Sequence, residues 1–184
     1  KLIIAGSNFI FNHINKNYKK YLNSEKKLLV IFRGVNLEYF NIKNISEKKV
    51  NTLISSWKID KNNFIILLPG RLTKWKGQEI FIESLSLLIE EHKKKNFHAI
   101  ILGSDQGREI YSKKLLLLVE RYRLGKKITF IENCKKMPLA YKLSDLVISS
   151  SIEPEAFGRV AVESQAMVKP IVASNIGGSR ETIS

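Results

Sequence analysis

The sequence predicts an α/β fold: a doubly wound parallel sheet with helices on both faces. Three observations predict it. Strand-like and helix-like stretches alternate along the chain. Most strand-like stretches, such as FIILLPG and FHAIILG, are continuous apolar runs rather than period-two alternations, as expected of strands buried on both faces. The candidate functional residues fall in loops that follow strands: Arg71, Lys74 and Lys76 after one, Gly103 to Arg108 after the next, Glu155 after another, Gly177-Gly178 after the last. In a doubly wound sheet those loops converge at the carboxyl edge, where ligands bind.

Taken in order, KLIIAGS is a buried strand ending in a loop, and Ser7 can cap the helix NFIFNHINKNYKKYL. Phe9, Ile10, Ile14 and Tyr18 recur there at helical spacing. LLVIF is the next strand and runs into the turn RGVNLEYFN. Ser46 with Lys49 makes only half a capping box for the helix SEKKVNTLISSWKI. FIILLPG is a strand, RLTKWKG a loop, and GQEIFIESLSLLIEEHKK a long amphipathic helix. FHAIILG, the turn SDQG and the helix REIYSKKLLLLVERYRL follow. ITFIE is a strand, and KKMPLAYKLS a short helix with Pro138 in its first turn. DLVISSS leads into SIEPEAFGRVAVE, residues 151–163, and the helix FGRVAVESQAM. PIVASN is the last strand, followed by IGGSRET. Repeats and low-complexity tracts are absent.

The 184 residues fit one domain, or one domain and a piece of another. Apolar residues make up 44%, ample for a core, yet no apolar run approaches the roughly 20 residues of a membrane span. A single cysteine, Cys134, excludes an internal disulfide and suits a reducing compartment. No signal peptide is visible. With no initiator Met, and with ETIS falling where a helix starts, the chain is expected to be truncated at both ends.

The net charge of +14 is unevenly spread. Residues 1–61 carry 12 Lys/Arg against 4 Asp/Glu (+8), residues 62–151 carry 16 against 9 (+7), and residues 152–184 carry 3 against 4 (−1). The excess is mostly Lys, without the Arg and aromatics interleaved on one surface that a nucleic-acid reader favours. Compositional bias is the plainer reading of it; an anionic membrane surface and an anionic substrate are the functional alternatives.

Glu155 and Glu163 stand eight positions apart, which on one helix would bring both carboxylates near one face. Gly158 sits where the helix opens, so backbone can approach a ligand and free amides point outward. Two acids and a bare helix N-terminus suit a molecule with hydroxyls at its ends and phosphate between, as in a nucleotide sugar. The plainer alternative, Glu155 as a cap and Glu163 as a solvated helix residue, stays open. In GRLTKWKG, Gly70, Arg71 and Lys76 share a loop: Arg can bridge phosphate oxygens and Lys adds a mobile charge, although a solvated basic loop fits too. Neither an NTPase loop nor a dinucleotide fingerprint is present. His13, His92 and His98 have no metal-ligand spacing and are expected to be structural or solvated, and Asp105 and Asp145 are single acids. Cys134 lacks an activating partner, and Ser149 to Ser151 lack both an elbow and a His base, which argues against a hydrolase.

Together these stretches resemble the retaining glycosyltransferases with the GT-B fold, of the group 1 (family 4) type, over nearly the whole chain. GRLTKWKGQEIFIESL resembles the family's donor-phosphate loop, EAFGRVAVE its E-x7-E motif, and IVASNIGGSRE its following strand and glycine turn. ITFIENCKKMPLAYKLSDLVI is similar to the segment that walls the base. The resemblance implies that residues 44–184 form the Rossmann-like C-terminal donor-binding half, incomplete at its end. Residues 1–43 would be the tail of the acceptor domain and the inter-domain junction. It implies that Gly70, Arg71 and Lys76 hold the diphosphate and Glu155 bonds donor-sugar hydroxyls. Phe157 and Gly158 would lie against sugar and phosphates, and Glu163 would bond the ribose. Glu155, Arg71 and Lys76 would be the catalytic set, with no metal and no cofactor beyond the donor itself. The implied partners are a UDP- or GDP-sugar and a sugar or lipid-linked acceptor, without nucleic acid. The implied setting is bacterial cell-surface or lipopolysaccharide synthesis, in the cytoplasm or at the inner face of the membrane. By itself the stretch is expected to bind nucleotide without transferring sugar. A GT-B-fold epimerase and a basic nucleic-acid-binding domain are the alternatives.

Overall fold

The computed structural model describes residues 1–22 and 27–183; Ser184, the end of the expected donor half, lies outside the described residues. Strands β1 (Leu2–Ala5), β2 (Lys27–Val30), β3 (Phe64–Pro69), β4 (Phe97–Leu102), β5 (Ile128–Ile131), β6 (Leu146–Ser149) and β7 (Ile171–Ala173) alternate with helices. The helices are α1 (Asn8–Tyr18), α2 (Glu47–Trp57), α3 (Gln78–Glu90), α4 (Glu109–Arg121), α5 (Met137–Leu143) and α6 (Arg159–Ala166). The α/β class with parallel strands is as the sequence predicts.

The strands divide between two sheets. β1 and β2 pair in parallel by themselves, and the larger sheet runs β5-β4-β3-β6-β7 with every neighbour parallel. The chain steps outward from β3 to β4 and β5, then crosses back to β6 and β7. The strand order therefore reverses between β3 and β6, which makes a crevice at their carboxyl ends. Asp145 helps to fix that crossing: its Oδ2 accepts the Ile65 amide at 2.7 Å.

Alternate residues of the central strands feed opposite faces, which is why their sequences are apolar at nearly every position. Ile66, Leu68, Ala99 and Ile101 meet Phe81, Ile82 and Leu85 of α3 and Leu115 and Val119 of α4. Ile65, Leu67, Ile100 and Val147 meet Val50 of α2, Ala140 and Tyr141 of α5, and Met167. Each large side chain so buried contributes about 1.5–3 kcal/mol.

Ser7 caps α1 as expected, accepting the Ile10 amide, and its hydroxyl also donates to the Ala156 carbonyl. The Asn8 and Phe9 amides donate to the Glu181 carboxylate at 2.8 and 2.6 Å. The β1–α1 unit is thus tied to the loop before α6 and to the 3₁₀ turn Gly177–Glu181, which forms where the sequence reads only a turn.

Candidate functional site

The loop after β3 and the loop after β6 are clamped together. Ile152 donates its amide to the Trp75 carbonyl at 2.8 Å, and the Ser150 hydroxyl reaches the Lys76 and Gly77 carbonyls at 3.1 Å. Gly77 is required here: with φ of 71°, any Cβ would lie 1.9 Å from the Ser150 carbonyl oxygen. The Gly177-Gly178 turn supports the same loop from behind, where Gly178 donates its amide to the Glu155 carbonyl at 2.7 Å.

This clamp brings Lys76 and Glu155 together. Lys76 Nζ lies 2.7 Å from Glu155 Oε1, with only 13% and 10% of the two side chains exposed. Ser151 donates its hydroxyl to the same carboxylate oxygen, and Lys76 Nζ stands 4.5 Å from the centre of the Trp75 ring. Arg71, on the same loop, is exposed, and its guanidinium has no partner among the described residues.

The expected common helix face for Glu155 and Glu163 is corrected. α6 begins only at Arg159, because Gly158 adopts φ of 88° and breaks the helical path, leaving Glu155 on the preceding loop. Gly158 does open the helix, and the amides of Phe157 and Gly158 have no backbone partner among the described residues. The Phe157 ring is turned away: it is 6% exposed and lines a hollow with Phe32 and Val162. Phe157 therefore offers backbone, not ring, to the crevice.

Glu163 is not a solvated helix residue. It is 7% exposed; Oε2 accepts from the Tyr141 hydroxyl at 2.8 Å and Oε1 from Arg159 Nη2 at 2.7 Å. Burial first, then the neighbouring carboxylate, pushes the Tyr141 phenol well above its ordinary pKa, so it remains a hydrogen-bond donor. Sequence reasoning missed Tyr141, Arg159 and Ser151. The i,i+4 spacing of Arg159 and Glu163 was a usable signal; Tyr141 is 22 residues from Glu163, and only the fold joins them.

The remaining polar residues have structural work. His98 pairs with the Thr129 hydroxyl at 2.8 Å, Asp105 accepts from the Gly107 amide and the Ser112 hydroxyl, and burial pushes the Cys134 thiol up. Among the described residues no group of three His, Cys, Asp or Glu could hold a metal, and no helix is long and apolar enough to cross a membrane. The structure thus brings Lys76 and Glu155 together, on loops that also carry the exposed Arg71 and the free amides before α6; the Glu163 carboxylate is buried on α6 against Tyr141 and Arg159. That set can bind phosphate and hydroxyl groups at once.

Comparison with known proteins gives the same direction. The family described as glycosyl transferases group 1 matches residues 49–184. An uncharacterized glycosyltransferase of Methanocaldococcus jannaschii is 34% identical over 86% of this chain and 39% of its own length. Spore coat protein SA of Bacillus subtilis is 29% identical over 98% of this chain and 48% of its own length. The crystal structure of a glycosyltransferase from Rickettsia africae superposes with a TM-score of 0.91 at 38% identity, over 100% of this chain and 47% of that one. Anabaena HepE in complex with UDP-glucose superposes with a TM-score of 0.84 at 28% identity, with the same coverage. The chain spans about half or less of the length of these curated relatives.

Proposed function

The chain belongs to the glycosyl transferases of group 1, and from that premise we propose that it binds the nucleotide-sugar donor of a sugar-transfer reaction. The observation that carries this is the Lys76–Glu155 pair, held at the topological switch point beside the free amides before α6. In this reading Arg71 and Lys76, on the loop that Gly70 opens, take the diphosphate. Glu155 takes hydroxyls of the sugar, and the Phe157 and Gly158 amides take phosphate oxygens. Glu163 takes the ribose. A diphosphate competes with Glu155 for Lys76, so donor binding frees that carboxylate for the sugar. As the sugar leaves, charge grows on the diphosphate, and the two cations and the amides stabilise it without a metal. The HepE complex with UDP-glucose supports this choice of ligand.

We extend the reading to transfer with retention of configuration, to an acceptor held against residues 1–43 and the domain they belong to, in cell-surface glycan or glycolipid synthesis. The basic excess of residues 1–61 favours an anionic membrane surface nearby. The Methanocaldococcus and Rickettsia relatives are named as glycosyltransferases, which favours neither an epimerase nor a nucleic-acid-binding domain. Calorimetry with UDP-glucose, UDP, GDP, uridine and duplex DNA tests the proposal. Saturable binding of a nucleotide diphosphate, with uridine much weaker, is expected; binding of DNA alone, collapsing steeply with salt, would overturn it.

A further inference from the structure

Beside the Lys76–Glu155 pair, the turn after β3 and the first turns of α3 and α4 border an open cavity of about 790 Å³. That lies within the range of small-molecule sites, about 300–1,000 Å³. We propose that this cavity is a second carbohydrate site, for a saccharide that carries an acidic group.

The first support is an imbalance. Two buried side-chain oxygens lack a hydrogen-bond partner among the described residues, Thr73 Oγ1 and Glu79 Oε1, and both residues line this one cavity. Thr73 is 6% exposed. Orphaned polar atoms are rare in native interiors, and a pair of them around one cavity points to a group that satisfies both. The chemistry of that group follows from theirs. A carboxylate oxygen only accepts, and a hydroxyl donates or accepts, so the ligand must present hydroxyls. The other Glu79 oxygen is paired with Lys114, which fixes the carboxylate in the wall.

The second support is the surface around the oxygens. The half-buried ring of Trp75 lines the cavity and offers an apolar plane against which the C–H face of a sugar fits. Lys74 and Arg108 stand on the same wall without a carboxylate partner among the described residues. Arg108 Nη1 donates to the neutral Asp105 carbonyl and Gln106 amide oxygens, which leave its charge unneutralised. Hydroxyl acceptors below, a flat ring beside and two uncommitted cations together select a sugar acid or sugar phosphate. A bare anion would meet the Glu79 carboxylate, and a neutral sugar would leave the cations unused.

Trp75 links this cavity to the crevice, because Lys76 Nζ lies over its ring. The lining of the cavity does not include Arg71, Lys76, Glu155 or Glu163, so the proposal stands on residues other than those assigned to the donor.

The sequence holds two tryptophans, so Trp57→Phe leaves Trp75 as the sole tryptophan, whose emission is read by selective excitation to the red of the tyrosines. In that background the protein is titrated with digalacturonate, with lactose and with sodium phosphate. Digalacturonate should change the fluorescence saturably and bind about tenfold more tightly than lactose, while phosphate should not saturate. Excess UDP should leave digalacturonate bound. Thr73→Val and Glu79→Gln should each weaken digalacturonate about five- to tenfold and leave the affinity for UDP, measured separately, unchanged. Thr73→Val should also melt no lower than the parent, since it removes an oxygen without a partner. No saturable signal, full displacement by UDP, unchanged affinity in both variants, or a clear fall in melting temperature for Thr73→Val would each overturn the proposal. Failure of UDP itself to bind would count against the donor reading and leave this one standing.

Discussion

Lys76 Nζ and Glu155 Oε1, on residues 79 apart in the chain, meet at 2.7 Å across the boundary between the loops after β3 and β6. Both side chains are nearly enclosed, so each charge depends on the other. Removing one leaves a poorly solvated ion, which costs about 3–5 kcal/mol for a fully buried pair. Here Ser151 still donates to Glu155, and we expect Lys76→Ala to cost about 2–3 kcal/mol. Adding Glu155→Gln should recover part of that loss. Denaturant unfolding of both single variants and the double variant gives the coupling energy; strictly additive losses would show that the pair does not hold the loops.

Arg71 provides the contrast. It shares the loop but is exposed and without a partner, so Arg71→Ala should change stability by no more than about 0.5 kcal/mol. It should weaken UDP by about 1.5–3 kcal/mol, the worth of a charged hydrogen bond, and leave uridine nearly unchanged. Calorimetry with both ligands checks this. Equal losses for UDP and uridine would remove the phosphate from Arg71.

The two glutamates should separate by ligand. Glu155→Gln should weaken UDP-glucose more than UDP, because only the former carries the sugar. Glu163→Gln should weaken both alike, because the ribose is common to them. Tyr141→Phe should act like a milder Glu163→Gln and cost about 1–3 kcal/mol of stability, because a buried carboxylate oxygen loses its donor. A selective loss of UDP-glucose in Tyr141→Phe would reverse the orientation assigned to the donor.

Much of this was legible in local sequence. The apolar runs that became β3 and β4, the Ser7 cap, the loop position of Arg71 and Lys76 and the opening of α6 at Gly158 all depend on neighbours within a few residues. The error over Glu155 arose there too. A spacing of eight is a helical signal only if the backbone between is helical, and Gly158, at φ of 88°, ends that condition. What could not be read were contacts made by topology. Nothing near Lys76 announces Glu155 as its partner, because that requires β6 to lie beside β3 on the side away from β4 and β5. Tyr141 likewise meets Glu163 only because α5 and α6 cover the same face of the sheet.

The last expectation concerns pH. His98, in β4, is buried, and its Nε2 stands 2.8 Å from the Thr129 hydroxyl. Burial first, and the Lys127 charge second, hold its pKa below the ordinary 6.5. Below pH 6.5 the unfolded chain therefore binds a proton that the folded chain resists. The sign follows from linkage: stability contributed by neutral His98 is complete above 6.5 and is lost as pH falls through the lower, folded value. The melting temperature should drop between about pH 7 and 5. His98→Gln, which keeps a polar group and cannot titrate, should drop less over the same interval. Differential scanning calorimetry of both proteins in matched buffers measures the difference. An equal slope in the two, or a native protein that gains stability on acidification relative to the variant, would show that His98 is not held neutral by its burial.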